Sequence, residues 1–170
     1  LAIEGEGFFQ VQLPNGSLAF TRDGTFGRAA DTGALVTHAG YLLSPEITVP
    51  ADATQIGVSP TGQVSAILGS TGQQVELGQI ELARFANPTG LLSLGGNNYG
   101  ASPASGDPMS GLPGEDGFGQ VVQGTLEASN VEIVQEMVDM ITAQRAYEVN
   151  SKAIKTAEEM IQTATNELIR

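Results

Sequence analysis

Residues 124–170 read GTLEASNVEIVQEMVDMITAQRAYEVNSKAIKTAEEMIQTATNELIR, and after the opening Gly124 this stretch contains neither glycine nor proline. All 22 glycines and all 8 prolines of the 170-residue chain lie at or before Gly124. Ala, Glu, Gln, Met and Ile, which are compatible with a helix, dominate residues 125–170. Two architectures are therefore joined in one chain: a β-rich domain over 1–126 and a helical arm over 127–170. Ser129, with Glu132 three residues later, fits a capping box, in which each side chain satisfies an orphaned amide of the first turn. No breaker occurs from Asn130 to about Leu168, enough for roughly 58 Å of helix at ~1.5 Å per residue. A domain of this size has a radius of gyration of only ~14 Å, so much of such a helix must project and meet another partner.

The spacing of its apolar residues describes that partner. Ile133, Met137, Met140, Gln144, Tyr147, Ser151, Ile154, Glu158, Ile161, Thr165 and Leu168 alternate steps of four and three, a coiled-coil-like seam. Ala146, Asn150, Ala153, Ala157, Met160 and Ala164 form a flanking row whose small members permit close approach. With Ile141 added, the apolar surface is wider than a two-stranded seam requires, which suggests a bundle or tube. Arg145, mid-helix beside Tyr147, and Asn150 are candidates for fixing helix register; the bland alternative is a solvated face. An ordinary amphipathic helix folded over its own sheet is the competing reading of the whole segment.

The first part reads as short strands separated by turns. Phe8–Leu13 runs into Pro14-Asn15-Gly16, a strong turn signal, and then into Leu18–Thr21. Asn15-Gly16-x-Leu18, Thr32-Gly33-x-Leu35 and Thr61-Gly62-x-Val64 repeat one device, a glycine able to take positive φ before an apolar residue opens the next strand. Arg22-Asp23-Gly24 marks a further turn. Strands are also expected at Tyr41–Leu43, Ile47–Val49, Ile56–Val58, Val64–Leu68 and Gln79–Phe85, in an antiparallel meander or barrel. Residues 87–118 read as a long loop, and Gln120–Leu126 as a returning strand.

Composition excludes several functions. The net charge is −12. Only Arg22, Arg28 and Arg84 are basic before position 145, so neither a nucleic-acid backbone nor an anionic membrane finds a basic stripe. No run approaches the roughly 18 apolar residues of a membrane span. The absence of cysteine removes disulfides, thiolate metal sites and thiol nucleophiles, and it suits a chain that passes unfolded through an export channel. A start at Leu1, directly in a strand-like pattern, suggests a fragment or processed product. His38, the one histidine, has no second ligand nearby to make a metal site. Gly5-x-Gly7 and Gly24-x-x-Gly27 lack the strand–glycine–helix setting of nucleotide binding. Glu115-Asp116 has the charge for a cation but reads as a solvated pair. No catalytic residue, cofactor or metal site is expected.

One resemblance covers essentially the whole chain. Leu126-Glu127-Ala128-Ser129-Asn130-Val131, continuing through Glu136-Met137-Val138-Asp139-Met140-Ile141 to Gln144–Ile154, closely resembles the C-terminal signature of bacterial flagellar rod and hook proteins. Leu1–Val11 and Thr21-Arg22-Asp23-Gly24-Thr25-Phe26 look like the β domain of that family. Gly40–Pro50 is most similar to its distal-rod branch, with proximal rod and hook branches as competitors. The resemblance implies a subunit exported by the flagellar type III apparatus that polymerises helically in the periplasm. The polymer would be a drive shaft transmitting torque from motor to hook. Implied partners are further copies, other rod subunits, hook subunits and surrounding ring proteins. The C-terminal helix would lie in an inner layer against an N-terminal helix that is missing here. Two other classes remain open: a carbohydrate- or peptide-binding β module using 87–118, and a cell-wall hydrolase, for which no acid/base pair is apparent.

Overall fold

The computed structural model describes residues 1–128 and 132–168, with side chains described through Gln162. The backbone divides into two units, Leu1–Glu127 and Ala128–Arg170. The architecture is mainly antiparallel β with one C-terminal helix, the fold class expected from the sequence.

The first unit contains fourteen short strands: β1 (Ala2–Glu4), β2 (Phe8–Gln12), β3 (Leu18–Thr21), β4 (Phe26–Arg28), β5 (Leu35–Thr37), β6 (Leu42–Ser44), β7 (Ala53–Val58), β8 (Gln63–Leu68), β9 (Gln74–Gln79), β10 (Leu82–Arg84), β11 (Leu92–Gly95), β12 (Asn98–Gly100), β13 (Met109–Gly111) and β14 (Gln120–Val122). Nine of them form one sheet with the path β11-β12-β3-β2-β6-β5-β4, while β10 pairs with both β2 and β13. A three-stranded meander β7-β8-β9 and the pair β1-β14 complete the unit.

Strand β2 shows why the sheet has two apolar faces. Successive side chains point to opposite sides. Phe9 and Val11, both fully buried, therefore face one way, and Phe8 and Gln10 face the other. On the Phe9 side the main core gathers Ile3, Leu43, Ile47, Val49, Val64, Ile80, Leu82 and Val121. It draws on all three sheets, which is what holds them together. On the Phe8 side a smaller cluster joins Phe20, Ala83 and Phe85, with Phe8 and Leu91 at its rim. Here the rings meet edge to face, Phe20 on Phe85 at 4.7 Å and Phe8 on Tyr99 at 6.1 Å, the geometry that aromatic quadrupoles favour.

The three recurring glycine turns all fall at hairpins: Gly16 between β2 and β3, Gly33 between β4 and β5, Gly62 between β7 and β8, each with φ between 76° and 82°. Gly33 and Gly62 are also sites of close approach. A Cβ would lie 2.6 Å from the Val49 carbonyl oxygen at the first and 2.7 Å from that of Ile80 at the second.

Two expectations need correction, and one strand lies where none was expected. Ile47–Val49 is not a strand; it makes one bridge, Ala34 to Thr48, flanked by Leu35 N–H to Ile47 O and Val49 N–H to Gly33 O, both 2.9 Å. Pro45 and Pro50 bracket the segment and offer no N–H to extend a ladder. Gln74–Gln79 is a strand, β9, at the open edge of the meander. Val75 and Leu77 alternate with Gln74 and Glu76, but over four residues only, before Gly78 and a bulge in the ladder interrupt the pattern. Residues 87–118 are not one loop. They hold a 3-10 turn (Pro88–Gly90), the β11–β12 hairpin and β13, with Ser102 Oγ donating to Gly90 O at 2.6 Å and Asn87 Nδ2 to Ala104 O at 3.0 Å. Side-chain bonds from Ser and Asn order this stretch together with a few apolar anchors, Leu91, Pro113 and Phe118.

The second unit is α1, Ile133–Leu168. At ~1.5 Å per residue its 36 residues span about 54 Å. Of the expected capping pair, Ser129 lies outside the described residues.

Candidate assembly surface

Every described side chain of α1 is exposed. Ile133 (69%), Met140 (62%), Tyr147 (77%), Ile154 (62%) and Ile161 (68%) remain open to solvent, and so do Met137, Ile141 and Met160. Leu168 belongs to the helix, but its side chain is outside the described set. Residues 133, 140, 147, 154 and 161 are separated by seven each time. On a straight helix of 3.6 residues per turn such a row drifts by about 20° per heptad, and a partner that tracks it imposes a left-handed supercoil. The wide apolar belt seen in the sequence is thus a row that creeps around the helix, supplemented by Val134, Val138 and Val149, themselves exposed.

Gln144, Arg145 and Asn150 interrupt this belt and are likewise exposed. Among the described residues Arg145 forms no ion pair. Local polar bonds run along the helix instead: Gln135 Nε2 donates to Asp139 at 3.2 Å, and the Thr142 and Thr156 hydroxyls donate to the carbonyls of Val138 and Lys152, four residues back.

Burying one large apolar side chain contributes roughly 1.5–3 kcal/mol when it starts fully exposed. Eight side chains that are between 53% and 77% exposed then carry on the order of 10 kcal/mol of latent association free energy. The loss of translational and rotational freedom on association is of similar size, roughly 4–15 kcal/mol. A partner helix that buried an apolar face of its own would add a similar amount, so the belt is large enough to serve as a binding surface.

The β unit has its own organising centre in Thr21-Arg22-Asp23-Gly24. Arg22 Nε donates to the Glu127 carboxylate at 2.7 Å. Its Nη1 donates to the carbonyls of Gly5 and Gly7, and Nη2 to that of Ile3, each at 3.2 Å. The guanidinium also sits 6.0 Å over the Phe8 ring, within reach of cation–π attraction. One side chain thus joins the β1–β2 connection to the last residue of the β unit. Thr21 Oγ1 donates to Asn97 O at 2.7 Å, tying in the β11–β12 hairpin. The Leu1 nitrogen donates to Gly24 O at 2.8 Å, and a Cβ on Gly24 would overlap the Leu1 carbonyl. Asp23 accepts from the Thr25 hydroxyl at 2.6 Å and from its amide at 3.0 Å. The Thr25 hydroxyl bond is the main influence holding this carboxyl below its usual range, against an opposing contribution from burial. In the sequence Arg22 is only one of three scarce cations; the Arg-Asp-Gly turn is the visible signal of this centre.

The remaining chemical candidates stay apart. His38 is exposed in the turn after β5. Gly5 and Gly7 have positive φ and belong to the Arg22 cradle. Asp116 offers its backbone carbonyl to Arg84 at 3.3 Å. Among the described residues no three His, Asp or Glu side chains converge as metal ligands. A depression of about 390 Å³ at the tips of the β2–β3 and β5–β6 hairpins is lined by Gln12, Leu13, Pro14, Gly16, Gly40, Tyr41 and Leu42. No carboxylate or histidine is among these lining residues.

Residues 2–66 match the family described as flagellar hook protein FlgE/F/G D1 domain, and residues 122–167 match the flagellar basal body rod FlgEFG protein C-terminal family. The flagellar basal-body rod protein FlgG of Buchnera aphidicola subsp. Acyrthosiphon pisum is 47% identical over 95% of this chain and 62% of its own length. That of Borreliella burgdorferi is 46% identical over 98% and 63%. The flagellar hook protein FlgE of Salmonella typhimurium is 42% identical over 69% of the chain but only 29% of its own length. The chain thus spans a little over three-fifths of the curated rod proteins it matches, 62% and 63% in these two cases.

Proposed function

The chain belongs to the flagellar hook and basal-body rod protein family, and from that premise we propose that it is an axial structural subunit of the distal rod, polymerising helically into the shaft between motor and hook. The observation that carries the rod assignment over the hook is coverage. Similarity to proteins named as basal-body rod proteins runs through 95% and 98% of this chain, whereas similarity to the hook protein stops at 69%. A periplasmic position in the basal body and export by the flagellar type III system belong to the same reading.

In this role the belt on α1 meets helices of neighbouring subunits in an inner layer, and the β unit forms a layer outside it. Ile133, Met137, Met140, Ile141, Tyr147, Ile154, Met160, Ile161 and Leu168 supply apolar contact; Gln144, Arg145 and Asn150 fix register. A subunit surface that meets a different surface on the next copy generates an open helical polymer when the rotation does not close. Such a shaft resists torque through many repeated contacts and requires no reactive centre. Its neighbours along the axis would be other rod subunits and hook subunits, with ring proteins around it.

The test is to label the full-length protein in cells and image purified basal bodies. Density for the label along the shaft below the hook is expected. Label confined to the hook, or absent from the basal body, would refute the assignment.

A further inference from the structure

The chain has four methionines and neither cysteine nor tryptophan. With no thiol or indole to compete for an oxidant, the thioethers are its most readily oxidised side chains, and their susceptibility follows exposure. None of the four belongs to the apolar core. Met109 on β13 is 48% exposed, and Met137, Met140 and Met160 on α1 are 60%, 62% and 63% exposed. Methionine commonly fills irregular gaps in a core; here every one stands in water.

Three of the four lie on the belt of α1. Met137 and Met140 are in its seam, three residues apart and so neighbours on one face, and Met160 is in the flanking row. Met109 belongs to the β unit, where β13 pairs with β10. A peroxide oxidises such a thioether in a two-electron step. The sulfur attacks one peroxide oxygen, the O–O bond breaks as an S–O bond forms, and the departing hydroxide takes the proton from the new sulfur-bound oxygen. The thioether becomes a sulfoxide and hydrogen peroxide becomes water. The product is polar and chiral where the parent side chain was apolar, and burying its oxygen in an apolar seam costs free energy unless a donor meets it.

We propose that Met137, Met140 and Met160 are oxidation sites of the unassembled subunit, and that their conversion to sulfoxide by a peroxide takes the helix belt out of assembly until sulfoxide reductases restore the thioethers. The chemistry needs only the exposure of the three sulfurs. Its consequence rests on the axial-subunit reading: contact with neighbouring helices covers the same side chains, so a polymer protects what a free subunit exposes. Met109 supplies an internal reference, since it is open to the same reaction and lies outside the belt.

The test treats the full-length protein with hydrogen peroxide before and after polymerisation and locates sulfoxides by peptide mass spectrometry. The three helix methionines should be oxidised in the free subunit and spared in the polymer. Oxidation should raise the critical concentration about tenfold for each seam methionine, and about a hundredfold when Met137 and Met140 both react. Reductases for the two sulfoxide epimers should return it to the parent value, an arm that depends on no variant. Met137→Leu with Met140→Leu and Met160→Leu keeps the belt apolar and should polymerise whether or not peroxide has oxidised Met109, whereas Met109→Leu should stay as sensitive as the parent. Sulfoxide at the three helix positions with an unchanged critical concentration overturns this inference alone. So does a peroxide effect that persists in the leucine variant, or the absence of sulfoxide at these positions in the free subunit. Failure of the untreated parent to polymerise under any condition overturns the axial-subunit reading and the assembly consequence with it, while the sulfoxide map still decides the accessibility of the three sulfurs.

Discussion

Replacing Arg22 by Ala is the perturbation whose outcome bears most directly on how the β unit holds its two ends. The side chain makes four polar contacts, and they are unequal. The Glu127 pair has the shortest distance, 2.7 Å, but the two side chains are 31% and 46% exposed. Solvent screening then limits it to about 0–1 kcal/mol. The three carbonyl contacts are longer, at 3.2 Å, and two of them, to Ile3 and Gly7, are partly buried. Bonds from a charged donor are worth roughly 1.5–3 kcal/mol at best, and length and partial hydration reduce these to about 0.5–1 kcal/mol each. The cation–π contact with Phe8 adds a further ~0.5 kcal/mol. Arg22→Ala should therefore cost about 2–4 kcal/mol. With about 2–4 °C lost per kcal/mol in domains of this size or a little larger, the calorimetric transition of the β unit should fall by about 5–15 °C. Glu127→Gln should lower it by less than about 3 °C, and Arg22→Lys should recover under half of the loss, because one ammonium cannot reproduce the fork that spans three carbonyls. Calorimetry suits the question because the chain has no tryptophan and α1 would dominate far-UV dichroism. If Glu127→Gln were as damaging as Arg22→Ala, the carbonyl cradle would not be the stabilising element. The reasoning would then be refuted.

Gly33→Ala forces a Cβ to 2.6 Å from the Val49 carbonyl at a φ of 76°; a loss of about 2–4 kcal/mol is expected in urea titrations. Gln123 places its amide against the free edge of β7, accepting from the Val58 amide at 2.8 Å and donating to the Ile56 carbonyl at 2.9 Å, so Gln123→Ala should cost about 1–2 kcal/mol and speed amide exchange at Val58. Asp23 has a folded pKa below its ordinary value. Its unfolded form binds protons first as pH falls, so its contribution is present above the ordinary carboxylate range and is lost as pH drops through the lowered folded value. Asp23→Asn should flatten that part of the acid denaturation curve, measured against the parent. Met140→Ser with Ile154→Ser should abolish polymerisation of the full-length protein while leaving the calorimetric transition of the β unit within about 1 °C.

How much the sequence discloses depends on how each element is stabilised. The helix is legible because its signal is local: no breaker after Gly124 and an apolar row every seven residues. The hairpins at Gly16, Gly33 and Gly62 are legible because a positive φ leaves a residue-type signature. Strand β9 is less so, since its alternation of Val75 and Leu77 with Gln74 and Glu76 is only four residues long and sits between Gly72 and Gly78. The β11–β12 hairpin is hidden for a related reason. Its order comes from pairing with β3, from Tyr99 on Phe8 and from Asn98 bonding to the turn carbonyls, and a Gly- and Asn-rich turn is also what disordered loops contain. Arg22 shows a further limit: its partners lie 15, 17, 19 and 105 positions away, and no local pattern announces contacts that the fold alone creates.

These differences bear on what each unit can do by itself. The β unit satisfies its own polar groups, with no buried side-chain atom left unpartnered among the described residues, and it encloses an apolar core drawn from three sheets. Its stability does not wait on a partner. The helix is the reverse case: its backbone bonds are internal, yet Ile133, Met140, Tyr147, Ile154 and Ile161 keep most of their surface in water. Helical stability in proteins derives mainly from packing an apolar face, so α1 should fray in the monomer and gain order as copies are added. The β unit is thus ordered by its own core, whereas α1 depends on whatever covers its apolar face. In the proposed axial role, a growing end that offers several helices at once would capture the next subunit more firmly than one free copy could. On that reading, the location of the exposed apolar surface would favour cooperative growth from an existing end over spontaneous nucleation in solution.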